Sequence, residues 1–160
     1  FFISEPNFNV FNFSHIYYPI QKMFRMFTYC PKYANFENVQ HALQKPHQYI
    51  LINVLPIHEQ DCLISNTVLA NQEEQTINTM IESVVEPDKP VIVYGKNSLD
   101  ERVMEKAKQL GDLGVSTVYT YIGGMFEWLL LQDIYGDDAF PTTKKVLDIL
   151  KYKPVQINIR

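Results

Sequence analysis

Three short apolar runs set the terms on which this chain can fold: Tyr49-Ile50-Leu51-Ile52-Asn53-Val54, Val91-Ile92-Val93-Tyr94 and Thr117-Val118-Tyr119-Thr120-Tyr121. Each has the length of a strand and is rich in β-branched and aromatic residues. The first two lack polar alternation, which marks strands buried on both faces. Between the runs the spacing turns helical. Residues 36–44 place Val39, Ala42 and Leu43 on one side, and Lys45-Pro46 ends the pattern. Residues 75–85 carry Ile77, Met80, Ile81, Val84 and Val85 at helical intervals, and residues 101–113 carry Val103, Met104, Ala107 and Leu110. Strands alternating with helices through short turns make a parallel sheet with helices on both faces.

The remaining segments complete the expected architecture. Thr67-Val68-Leu69 reads as a further short strand, which gives a central, mainly parallel sheet of about five strands. Gly123-Gly124 is a tight turn that lets the next helix, residues 125–132, pack closely on the sheet. That helix contains Leu129-Leu130-Leu131, and one helix face cannot bury three consecutive leucines. It is therefore wrapped on two sides or contacts a partner. A last helix is expected over residues 142–150, with Thr142 or Thr143 as its cap. The organisation is thus an aromatic-rich extension at 1–31, an α/β domain at 32–150 and a tail at 151–160.

Composition narrows the function classes. The 160 residues suit one domain with an extension, and 46% hydrophobic residues suffice for one core. A formal charge of −4 argues against nucleic-acid binding, which needs clustered Lys and Arg. No apolar stretch is long enough for a membrane span. Cys30 and Cys62 are too few for a disulfide framework or a zinc site and fit an intracellular, reducing compartment: cytoplasm, organelle or virion. His15, His41, His47 and His58 show no ligand spacing, so neither metal nor cofactor is expected.

The extension is too apolar for a solvated tail. Phe1, Phe2, Phe8, Phe11, Phe13, Tyr17 and Tyr18 are its candidate docking residues, followed by Phe24, Phe27 and Tyr29. They either cover their own domain or insert into a protein partner.

In an open α/β sheet ligands sit beyond the carboxyl ends of the strands, so chemistry belongs in the loop after Tyr94. There the residues become familiar. Val91-Ile92-Val93-Tyr94, a loop, a helix, Gly114-Val115-Ser116-Thr117-Val118-Tyr119 and Gly123-Gly124-Met125-Phe126-Glu127-Trp128 resemble the C-terminal half of a rhodanese domain, the superfamily that also includes the cell-cycle dual-specificity phosphatases. Upstream the match is looser: Asn53 stands where the family has Asp, Glu59 on its common Glu, and Ile64-Ser65-Asn66-Thr67-Val68 on its I-P-G-A-I segment. The resemblance spans residues 33–132 and implies a three-layer rhodanese-like fold.

A rhodanese carries sulfur on a cysteine thiolate held in a loop of backbone amides that ends on arginine. Here the loop reads Gly95-Lys96-Asn97-Ser98-Leu99-Asp100, then Glu101-Arg102. Glycine replaces the nucleophile. Asp100, or Glu101 in a longer loop, replaces the arginine, and both acids suit capping of the next helix. The resemblance is thus to an atypical branch lacking the catalytic cysteine. The expected role is a catalytically inactive structural or interaction module in a larger assembly.

Two alternatives stand beside it. One is a sulfurtransferase or related phosphatase-type enzyme with an unusual nucleophile, although Ser98 has no evident base and Cys62 reads as a buried, inert thiol. The other is a small-anion sensor using the loop amides with Lys96. Arg102 reads as one half of a surface salt bridge, His58 as an exposed loop residue and Trp128 as core.

Overall fold

The computed structural model describes residues 32–83 and 89–155. Its sheet has four parallel strands: β1 (Lys32–Ala34), β2 (Ile50–Asn53), β3 (Val91–Tyr94) and β4 (Val118–Tyr121), in the order β1-β4-β3-β2. Among the described residues four α-helices accompany it: α1 (Phe36–Gln44), α2 (Ala70–Glu82), α3 (Arg102–Asp112) and α4 (Gly124–Tyr135).

The register explains why the runs carry no polar alternation. Leu51, Ile92, Tyr94 and Tyr121 point to one face, where they meet Val39 and Ala42 of α1 and Met125, Trp128 and Leu129 of α4. Ile50, Ile52, Val91, Val93 and Val118 point to the other, against Ile77 of α2 and Val103, Ala107 and Leu110 of α3. Lys106 of α3 pairs with Glu73 of α2 across that second layer. Burial on both sides removes any solvent face that would call for polar residues.

Helix α1 starts with a reciprocal cap. Asn35 Oδ1 accepts the Asn38 N–H and Asn38 Oδ1 accepts the Asn35 N–H, each at 3.0 Å. Helix α2 begins at Ala70, five residues before the expected start at Gln75. Two of its threonines, Thr76 and Thr79, return their hydroxyls to the Gln72 and Gln75 carbonyls, both at 2.8 Å. The later part of the expected pattern, Val84 and Val85, lies outside the described residues.

Two expectations need correction. Among the described residues the sheet has four strands rather than about five. Thr67 forms only an isolated bridge to Leu51, with the Val68 N–H donating to the Leu51 carbonyl at 2.9 Å. Asn66 takes a left-handed φ of 61° just before it and α2 begins just after, which leaves no length for a ladder. The edge strand β1, in contrast, carries no apolar run and went unread. The helix expected over 142–150 does not form. Thr142 bridges Ile64, the Thr143 N–H donates to the Leu63 carbonyl at 2.8 Å, and the Thr143 hydroxyl accepts the Leu63 N–H at 3.0 Å. The cap hydroxyl is thus already engaged, and only a 3-10 turn at Ile149–Tyr152 follows.

Trp128 is fully buried, its indole N–H directed at the Pro141 carbonyl at 3.3 Å. It stands edge-on to both Tyr121 and Phe140. The three leucines resolve differently: Leu129 enters the core, Leu131 packs against it, and Leu130 stays 41% exposed. No described helix is long and apolar enough to cross a membrane.

Candidate functional site

The loop after β3 rests on the start of α4. The first N–H groups of a helix have no partner within it. Here the Met125 N–H donates to the Gly95 carbonyl at 2.9 Å and the Phe126 N–H to the Lys96 carbonyl at 3.0 Å. The approach demands glycine at 124: its φ is +60°, and a Cβ there would stand 2.5 Å from the Gly95 carbonyl oxygen.

Two further ties hold the loop's shape. Asn97 is buried; its Oδ1 accepts the Leu99 N–H at 3.1 Å, and its Nδ2 donates to the Tyr152 carbonyl at 2.8 Å. The Asp100 N–H donates to the Asn97 carbonyl at 3.1 Å. Tyr152 is itself buried, so the segment after Phe140 straps the loop from outside. Burial pushes the Tyr152 phenol up to about 12. Beneath the loop, the Tyr94 hydroxyl accepts the Ile64 N–H at 3.1 Å and shares a hydrogen bond with Thr67 at 2.8 Å. Burial lifts its pKa far above the ordinary phenol value.

The centre of the loop holds a carboxylate. The Asp100 side chain is only 5% exposed. Its Oδ2 accepts the Lys96 N–H at 2.9 Å and Arg102 Nη2 at 2.8 Å, and its Oδ1 accepts Arg102 Nε at 2.7 Å. Burial works against the charge, but the bonds from Arg102 and Lys96 outweigh it and hold the carboxyl below its ordinary value. The same oxygen, Oδ2, lies 2.5 Å from where a Cβ on Gly95 would stand, with Val103 Cγ2 at 2.7 Å. Position 95 therefore has no nucleophile, and a side chain there would have to displace the Asp100 carboxylate and Val103. The expectation that both acids cap α3 is corrected: Glu101 holds the N-cap position without a side-chain cap, and Asp100 turns into the loop.

Both cations beside the loop are paired, Arg102 with Asp100 and Lys96 with Glu59 at 2.9 Å. Glu59 lies on the short 3-10 turn Ile57–Glu59, which also carries the exposed His58. Asn53 ends β2, with its Oδ1 accepting the Leu55 N–H at 3.1 Å. Ser98 and Leu99 face solvent.

Cys62 does not join the loop. It is fully buried, its thiol directed at the Lys144 carbonyl at 2.9 Å, and burial pushes its pKa up. Cys30, His15 and the candidate docking residues Phe1, Phe2, Phe8, Phe11, Phe13, Tyr17 and Tyr18 lie outside the described residues. Among the described residues no three His, Cys, Asp or Glu side chains are grouped to hold a metal ion. The sequence missed the bidentate hold of Arg102 on a buried Asp100 and the part played by Tyr152. A close Asp-x-Arg spacing hinted at the first; nothing local signals the second.

No protein-family model matches the chain, and no curated protein matches it in sequence. Solved structures do. The Alr3790 protein from Anabaena sp., which has a rhodanese-like domain, aligns with a TM-score of 0.50 at 18% identity over 74% of this chain and 84% of its own. The full-length protein from Lactobacillus plantarum aligns with a TM-score of 0.50 at 15% identity over 84% and 99%. The polysulfide-sulfur transferase homodimer from Wolinella succinogenes gives 0.48 at 17% identity over 86% and 93%. The fold is rhodanese-like, shared with Alr3790 at low sequence identity.

Proposed function

We propose that this chain is a catalytically inactive rhodanese-like module that serves as a structural or protein-interaction element of a larger assembly. The observation that carries the reading is the Asp100 carboxylate lying against Gly95, where a sulfur-carrying side chain would have to stand. Sulfur transfer needs a thiolate in a positive, accessible pocket. At this loop the nucleophile is missing, the cradle holds a negative group, and Arg102 and Lys96 are both engaged. Cys62 offers no substitute, because its thiol is buried and burial pushes its pKa up.

The interaction half of the proposal rests on apolar surface. Along α4, Leu130 is 41%, Ile134 69% and Tyr135 67% exposed, an apolar face of the kind that docks on protein. The aromatics of residues 1–31 are the proposed docking residues. The domain boundaries at 31/32 and 150/151 belong to the same reading, as does an intracellular, reducing setting.

The test is sulfur transfer from thiosulfate to cyanide by the purified protein. The expected rate equals that of the heat-inactivated control. A protein-dependent rate that survives replacement of Cys30 and Cys62 by Ser would overturn the proposal, and so would one abolished by C62S.

A further inference from the structure

We infer that the loop at residues 95–100 is a built oxyanion site whose occupant is the chain's own Asp100 carboxylate, and that a small free carboxylate takes its place when that side chain is removed. The inference rests on the reading of this loop as non-catalytic.

The donor set carries the argument. A guanidinium fork offers two parallel N–H groups that match the two oxygens of a planar carboxylate. Arg102 presents Nε and Nη2 to Oδ1 and Oδ2 at 2.7 and 2.8 Å, and the Lys96 backbone N–H adds a third bond at 2.9 Å. The group so held is almost wholly out of water. A desolvated carboxylate is stable only when hydrogen-bonded by charged or amide donors, and all three are supplied here. The surrounding charges leave the fork to this ligand: Lys96 is engaged by Glu59, while Glu59 and Glu105 both lie near enough to Arg102 to favour its charge. The absent side chain at 95 completes the site, since its Cβ would collide with Oδ2. Glycine at 95 and aspartate at 100 are thus one device: the empty position makes room for an internal ligand that keeps the loop closed on α4.

Truncating Asp100 to alanine leaves the fork and the Lys96 N–H facing a void of carboxylate size. Formate is the smallest carboxylate probe; the methyl of acetate would lie along the former Cβ–Cγ bond of Asp100 and meet the alanine Cβ. The experiment is thermal unfolding of wild type, D100A and D100A/R102Q, titrated with sodium formate, with sodium chloride at equal ionic strength and with neutral formamide. D100A is expected to unfold at lower temperature than wild type and to recover saturably in formate alone. Wild type and D100A/R102Q should respond to formate no more than to chloride. An equal response of D100A to formate and to chloride would overturn the inference.

Should D100A fail to fold, D100N keeps the shape and loses the charge. The Lys96 amide resonance should then differ strongly between wild type and D100N; an unchanged resonance would also overturn the inference. Neither result depends on sulfur transfer, so a wild-type rate in the cyanide assay would defeat the non-catalytic reading and leave these outcomes readable on their own.

Discussion

At residue scale, the behaviour of the loop follows from one oxygen atom. Asp100 Oδ2 takes the Lys96 N–H and one branch of the Arg102 fork, and it stands where a Gly95 side chain would begin. Two consequences can be measured. The first is a pH dependence. Because the folded-state pKa of Asp100 is lowered, its contribution to stability is complete above the unfolded carboxylate value, about 3.9. It is lost as pH falls through the lower folded value. The facing groups are Arg102 and Lys96, with Glu59 and Glu105 acting on Arg102. Urea midpoints of wild type and D100N should differ most above about pH 4 and converge below it; a gap that is constant with pH would place the carboxylate in free solvent. The second is a coupling. Gly95→Ala overpacks the loop and should destabilise by about 1–3 kcal/mol. The same change should cost less in D100A, with the remainder set by Val103 Cγ2. Strictly additive effects in a double-mutant cycle would show that the two positions do not meet.

At the scale of elements, the loop and α4 form one unit through Gly124. Its positive φ and its approach to the Gly95 carbonyl forbid a side chain. Gly124→Ala should lower stability by about 1–3 kcal/mol in denaturant unfolding; a change within about 0.5 kcal/mol, as at ordinary surface sites, would contradict the packing. The elements also show what the sequence made legible. Strands β2, β3 and β4 could be read because burial on both faces writes itself as apolar runs. Helices α1 and α3 could be read because a buried stripe recurs every third or fourth residue. Strand β1 could not, since Lys32-Tyr33-Ala34 is held by pairing with β4, a distant partner. The expected C-terminal helix failed for a similar reason: Thr143 bonds to Leu63, eighty positions earlier, and tertiary bonding overrides local capping. At the site, the missing nucleophile was plain from Gly95 alone. The direction taken by Asp100 was not, because it depends on the space above Gly95 and the fork of Arg102 together.

At the scale of the whole molecule, a rhodanese-like sheet carries the β3 loop, which is held from two sides. Asp100 fills it from within. The segment from Phe140 to Tyr152 covers it from without, through Thr142 to Ile64, Thr143 to Leu63 and Asn97 to Tyr152. Cys62 is buried against this strap, its thiol directed at the Lys144 carbonyl. Among the described residues, α4 is one of the places where apolar side chains stay exposed, with Leu130, Ile134 and Tyr135 outward. On the proposed reading the loop carries an internal carboxylate in place of a reactive group, and the exposed side of α4 is the contact surface. The most direct measurement of that claim is the intact mass of the folded protein after incubation with thiosulfate or polysulfide, read without reductant. The account predicts an unchanged mass in the native state. A stable gain of one sulfur atom on any residue of the described domain would contradict it.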